Sequence, residues 1–141
     1  MGNTVRILHI LGSMKIGGAQ TLIMNIYRNI DREKIQFDFL LSEDGDYDEE
    51  IKSLGGKIYK TDYLTKVGPL KYKRELKKFF ETHKEYNIIH SHLNQVTGLV
   101  LKVAYKCKIP IKIAHCHTTK NLNNIFIKIY KNILKYLCKS L

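Results

Sequence analysis

V-R-I-L-H-I-L-G-S-M-K-I-G-G-A-Q-T-L-I-M-N-I-Y-R-N-I, residues 5–30, is the stretch that decides the fold. Its first seven residues form a strand-length, largely apolar run, and Ala19, Leu22, Ile23, Ile26, Tyr27 and Ile30 then repeat at helical spacing. A glycine-bearing loop, residues 12–20, joins the two. The alternation continues outward. Strands are expected over 37–41, 57–59, 87–90 and 111–115, and helices over 48–54, ended by Gly55-Gly56, and over 95–107. Pro69 opens another helix that runs to about residue 83 with Leu70, Leu76, Phe79 and Phe80 inward. A last helix over 122–138 buries Ile125, Phe126, Ile129, Ile133, Leu134 and Leu137.

Strands that alternate with helices form a parallel sheet covered on both faces by right-handed crossovers. The fold class is therefore α/β, a Rossmann-like open parallel sheet with helices on both faces and strand order 3-2-1-4-5. No repeat, linker or low-complexity tract interrupts residues 1–141, so they are expected to form one domain. Because the chain stops on a helix, that domain is expected to lack its last strand.

No apolar run is long enough to span a bilayer, and the amino terminus lacks the apolar core of a secretory signal, so a cytoplasmic protein is expected. Three widely spaced cysteines, Cys107, Cys116 and Cys138, suit a reducing compartment better than a disulfide framework. The net charge of +11 is unevenly placed. Residues 1–85 hold all 13 acids against 15 Lys and Arg, whereas residues 86–141 hold 9 Lys and no acid. Such asymmetry suits an anionic partner, either a phosphorylated substrate or an anionic membrane, with solvated lysines as the plainer account. Nucleic acid is the weaker candidate, because the aromatic residues lie mostly on inward stripes rather than among exposed lysines.

In an open parallel sheet, ligands bind beyond the carboxyl ends of the strands. Those ends hold the unusual residues: Gly12-Ser13-Met14-Lys15-Ile16-Gly17-Gly18-Ala19-Gln20, His90-Ser91-His92, and His115-Cys116-His117-Thr118-Thr119-Lys120. The glycine loop opens a helix, where free N–H groups favour an anion and a missing Cβ allows close approach. It is not a dinucleotide fingerprint, since Met14 stands where a glycine is needed. Nor is it a P-loop, since Gly18-Ala19 replaces Lys-Ser/Thr. A tight strand-to-helix turn remains the plainer reading. The two His-x-His pairs share a strand face, as zinc ligands do, but no Asp or Glu follows Glu85, so no metal is expected. His90 and His115 read as strand residues satisfied by nearby backbone, and His92 and His117, past the strand ends, as substrate-facing groups.

Residues 5–30, the following Q-F-D-F-L-L, and the later Y-N-I-I-H-S-H-L and I-K-I-A-H-C-H-T-T-K together resemble the amino-terminal domain of family 4 retaining glycosyltransferases, notably those of bacterial exopolysaccharide and capsule assembly. The resemblance covers the whole chain. It implies one half of a GT-B fold, with two Rossmann-like domains facing across a cleft, the first binding acceptor and the second a nucleotide-sugar donor. It places Gly17 and Gly18 against the donor phosphates, His117 beside the transferred sugar as the catalytic group, and Thr118, Thr119 and Lys120 toward phosphate or a glycan or lipid-linked acceptor, with His92, past its strand end, read as a further acceptor-binding group. It implies transfer without metal or other cofactor, and an inactive half when the donor domain is absent. The family often has Glu after its Gly-Gly-Ala, where this chain has Gln20. The alternative is a non-catalytic nucleotide- or phosphate-binding module of the same fold.

Overall fold

The computed structural model describes residues 3–117. Five strands, β1 (Val5–Ile10), β2 (Ile35–Leu41), β3 (Ile58–Lys60), β4 (Ile88–Ser91) and β5 (Ile111–Ala114), form one sheet in the order β3-β2-β1-β4-β5, and every pairing is parallel. This is the expected Rossmann-like order, with the switch point between β1 and β4. The expected helix over 122–138 lies outside the described residues. No helix among the described residues is long and apolar enough to cross a membrane.

Strand alternation sends side chains to two layers. Leu8, Ile10, Leu40 and Ile89 meet α3 (Leu64–Thr82) and α4 (Thr97–Lys106) through Tyr72, Leu76, Phe80, Leu99 and Val103. On the opposite face Phe37, Phe39 and Leu41 meet α1 (Gly18–Asn29) and α2 (Asp48–Ser53) through Ile23, Met24, Tyr27 and Ile51. Two details differ from the periodicity. Leu70 is 77% exposed, because the inward stripe of α3 runs Tyr72, Leu76, Phe80 and Leu70 sits about 200° around the helix from Tyr72. Leu22 and Ile26 are about half exposed, one residue behind the buried Ile23–Tyr27 stripe of α1. Pro69 does open the main run of α3, but a single turn precedes it, joined through Gly68 at φ 78°, a conformation that favours glycine.

In the middle of β2, Asp38 is fully buried, with its partners toward the amino ends of the strands. It accepts both Nε and Nη2 of Arg6 at 2.6 Å, the Tyr86 hydroxyl at 2.7 Å and the Lys57 amide at 2.7 Å. This cluster fastens β1, β2 and the chain entering β4 to one another. Burial, helped by the bonds to Tyr59 and Asp38, holds the Tyr86 hydroxyl far above its ordinary pKa.

Candidate functional site

The glycine loop is built from beneath. Leu11 and Met14 are buried, the Gly12 carbonyl accepts the Ser42 and Glu43 amides, and the Met14 carbonyl accepts the Tyr47 amide. Gly45 lies so close that an added Cβ would sit 2.6 Å from the Lys15 nitrogen and nearer still to Met14, so only glycine fits there. Asp46 accepts the Ile16 amide at 2.8 Å, and Lys15 pairs with Glu43 at 2.7 Å. The loop is thus held rigidly by the segment that follows β2.

Its outer end is open. Gly17 precedes α1 in extended backbone, no side chain caps the helix, and the first turn carries no acid. The N–H groups of Gly18, Ala19 and Gln20 therefore have no partner within the helix and present its positive end outward. A Cβ on Gly18 would meet nothing within 4 Å, and one on Gly17 would crowd only the movable Gln20 side chain, with the Lys15 carbonyl at ordinary contact distance. Gln20 Nε2 donates to the Ser13 carbonyl at 3.2 Å, closing the loop on itself. A carboxylate at position 20 has no proton to donate, which gives the amide here a structural reason.

Beside it five imidazoles form one array. His9 and His90 are cross-strand neighbours on β1 and β4. His92 follows β4 with its amide bonded to the Ile10 carbonyl, and His115 follows β5 with its amide bonded to the Ser91 carbonyl. The rings of His90 and His92 stack at 4.0 Å, His115 and His117 at 4.1 Å, and His90 and His115 at 5.3 Å. Two edge contacts run through the array: His9 Nδ1 to His92 Nε2 at 3.1 Å and His92 Nδ1 to His117 Nε2 at 2.8 Å. Asn94, in a 3-10 turn (Asn94–Val96) after β4, accepts the His117 amide at 3.1 Å, and Ser91 Oγ bonds Thr97 Oγ1 at 2.9 Å to seat the start of α4.

His92 and His117 are therefore joined directly, while Thr118, Thr119 and Lys120 lie outside the described residues. His9 and Asn94 carry the arrangement without any sign in the sequence: His9 reads as one more residue of a core strand, and Asn94 as loop. His90 departs from the expected reading, since its buried Nε2 has no partner and its ring is held by stacking instead. Burial, then the charge of His90, pushes His9 down to about 3. Burial, then its imidazole neighbours, pushes His92 down to about 2, and His90 and His117 are lowered for the same reasons. His9 and His92 are thus neutral at ordinary pH.

Neutral imidazoles are also metal donors. His9, His90 and His92, and separately His92, His115 and His117, bring one ring nitrogen each within 4.8 Å of the others. The stacked rings run nearly parallel, however, so their in-plane lone pairs lie side by side rather than converging, and four of the nitrogens face one another in hydrogen bonds.

Comparison with known proteins gives two relatives of the same kind. The chain is 35% identical over 116 residues to the EpsF protein of Bacillus subtilis (strain 168), whose name assigns it provisionally as a glycosyltransferase, covering 81% of this chain and 30% of that protein. It is 28% identical over 131 residues to the capsular polysaccharide biosynthesis glycosyltransferase CapH of Staphylococcus aureus, covering 90% of this chain and 35% of that one. The chain thus spans about a third of the length of the curated relatives it matches. No family model and no solved structure matches it. The chain is related by sequence to glycosyltransferases.

Proposed function

We propose that this relative of glycosyltransferases is the acceptor-side half of a retaining, metal-independent enzyme that moves a sugar from a nucleotide-sugar donor to a glycan or lipid-linked acceptor in cell-surface polysaccharide synthesis. The remaining two thirds seen in its relatives would supply the donor-binding domain across the cleft. The observation that carries this reading is the juxtaposition, at one switch point, of an uncapped helix start behind Gly17-Gly18 and a hydrogen-bonded histidine rim ending at His117. The amides offer fixed dipoles to the charge that builds on a leaving diphosphate. His117 and His92 offer uncharged hydrogen-bonding groups to sugar hydroxyls. Hydrogen-bonded, parallel rings support transfer without a metal.

Gly18→Ala separates function from folding. The added methyl has open space, and alanine is favoured over glycine in a helix by up to about 1 kcal/mol, so stability is expected to hold or rise. In the complete enzyme the same methyl stands where phosphate must approach, so donor KM is expected to rise about tenfold or more, the equivalent of about 1.4 kcal/mol. His117→Ala is expected to lower turnover with little loss of stability, because the ring is at the exposed rim. Unchanged kinetics in both variants would return the loop to a plain turn and His117 to a packing role.

A peripheral contact with anionic membrane fits a lipid-linked acceptor. Beyond the lysines after residue 117, the described residues supply a groove of about 390 Å³ between α3 and α4 lined by Lys73, Arg74, Lys77, Lys102, Val103 and Lys106. Lys77 also faces Glu81 at 3.7 Å, and exposed Leu70 and Tyr105 lie one turn away on the same helices. At about 1 kcal/mol per basic residue near an anionic surface, removing Lys73, Arg74 and Lys77 together is expected to weaken binding to anionic vesicles about 100-fold at low salt. Equal co-sedimentation with neutral and anionic vesicles would leave these side chains as solvated cations.

A further inference from the structure

The rim ends on His117, but the chain of hydrogen bonds that reaches it starts under the sheet. His9 is only 3% exposed, packed against Phe37 and Phe39 at ring distances of 4.3 and 5.5 Å, and its Nε2 has no hydrogen-bond partner. Its Nδ1 faces His92 Nε2, and His92 Nδ1 faces His117 Nε2. A neutral imidazole carries one N–H and one lone pair, so the proton positions along the row admit only two arrangements. In one, every Nδ1 carries the proton and all bonds point outward. In the other, every Nε2 carries it and all bonds point inward. The inward arrangement buries the His9 Nε2–H against phenylalanine with nothing to accept it. The outward one buries only a lone pair. Orphaned buried N–H groups are the rarer and costlier case.

We propose that His9 is a positioning residue: from beneath the sheet it directs the His9–His92–His117 hydrogen bonds outward, so that His117 presents an Nδ1–H donor, and not a lone pair, to the sugar side of the cleft. Three consequences follow from the geometry. His117 serves as a neutral donor to a sugar oxygen and has no free base on its outer edge. A second proton on its Nε2 would face the His92 Nδ1–H head-on, so charging His117 requires reversal of the whole row. The lowered proton affinity of His117, which burial and His115 also favour, agrees with this. Asn94, holding the His117 backbone at 3.1 Å, keeps the ring in line with the row.

The functional meaning rests on the proposed glycosyltransferase reading, but the proton positions do not, and the experiment keeps the two apart. Histidine-labelled chain, residues 1–141, is examined at pH 7.5 by long-range proton–nitrogen correlation, which assigns the tautomer of each ring. The expected result is the Nδ1–H form at His9, His92 and His117. His9→Phe keeps a flat ring against Phe37 and Phe39 but removes the inner donor. The His92 Nε2 then faces a phenyl ring, where an N–H would again lack an acceptor, so His117 is expected to keep the Nδ1–H form. His9→Asp instead offers His92 Nε2 only carboxylate oxygens and is expected to reverse the row to Nε2–H at His117. His9→Asn places an amide where Nδ1 stood and is expected to hold His117 in the Nδ1–H form. An Nε2–H form at His117 in the unaltered chain overturns the proposal, even if no variant folds. So does a His117 tautomer that is the same in the unaltered chain and in folded His9→Asp. The expected tautomers together with a complete protein that transfers no sugar would sink the enzymatic reading and leave the row standing.

Discussion

Asp38→Ala is expected to cost about 3–5 kcal/mol, the range seen when one member of a buried ion pair is removed. Domains of this kind are stable by only about 5–15 kcal/mol, so most of the margin is at risk. The size follows from what is left behind. Asp38 is fully buried and accepts four hydrogen bonds, two from the Arg6 guanidinium, one from the Tyr86 hydroxyl and one from the Lys57 amide. Alanine satisfies none of them. Arg6, whose side chain is 22% exposed, can turn partly to water, but the Tyr86 hydroxyl and the Lys57 amide cannot readily do so. Tyr86→Phe removes one donor and leaves the ion pair, so about 1–2 kcal/mol is expected from it. Urea unfolding of the chain followed by circular dichroism measures both. A loss below about 1 kcal/mol for Asp38→Ala would mean that water reaches the cluster and that it does not bind the strands together.

That residue also marks where the sequence stops being readable. Q-F-D-F-L-L reads as a strand with one misplaced acid, and nothing local says that its partners lie 32 residues before and 48 after. The sheet order was legible, because it follows from alternating periods and from a handedness rule that needs no contact information. The glycine loop and the four rim histidines were legible too, because ligand sites in this architecture sit at known strand ends. His9 was not. Its place in the array depends on pairing in register with His90, 81 positions later, and register is a tertiary fact. For the same reason Leu70 lies outside the inward stripe expected of it, and Leu22 and Ile26 lie at the edge of theirs. Helical period locates an apolar stripe, but which edge of the stripe meets the sheet depends on how the helix is rolled against it.

Lowering the pH from 7.5 to 5 is expected to destabilise the chain well before its carboxylates begin to titrate. In the folded protein His9 is depressed to about 3 and His92 to about 2, in both cases chiefly by burial. In the unfolded chain both return to about 6.5. Below that value the unfolded state binds protons that the folded state refuses, so stability rises with pH across this window and falls as acid is added. Each buried imidazole contributes a slope of about 1.4 kcal/mol per pH unit, and the pair together about 4 kcal/mol by pH 5. The lowered carboxyls of Asp31, Glu43, Asp44, Glu50 and Asp62 have the same sign, but their loss begins only below their unfolded values of 3.8 or 4.5. The histidine window therefore stands clear of them. Urea midpoints at pH 7.5, 6.5, 5.5 and 5.0 report it directly, and in His9→Phe the slope is expected to fall by about 1.4 kcal/mol per pH unit, the share of one imidazole. A midpoint that stays level from pH 7.5 to 5.0 in the unaltered chain would mean that the array takes up protons while folded, and that its rings are neither as buried nor as tightly joined as the contacts from His9 to His117 require.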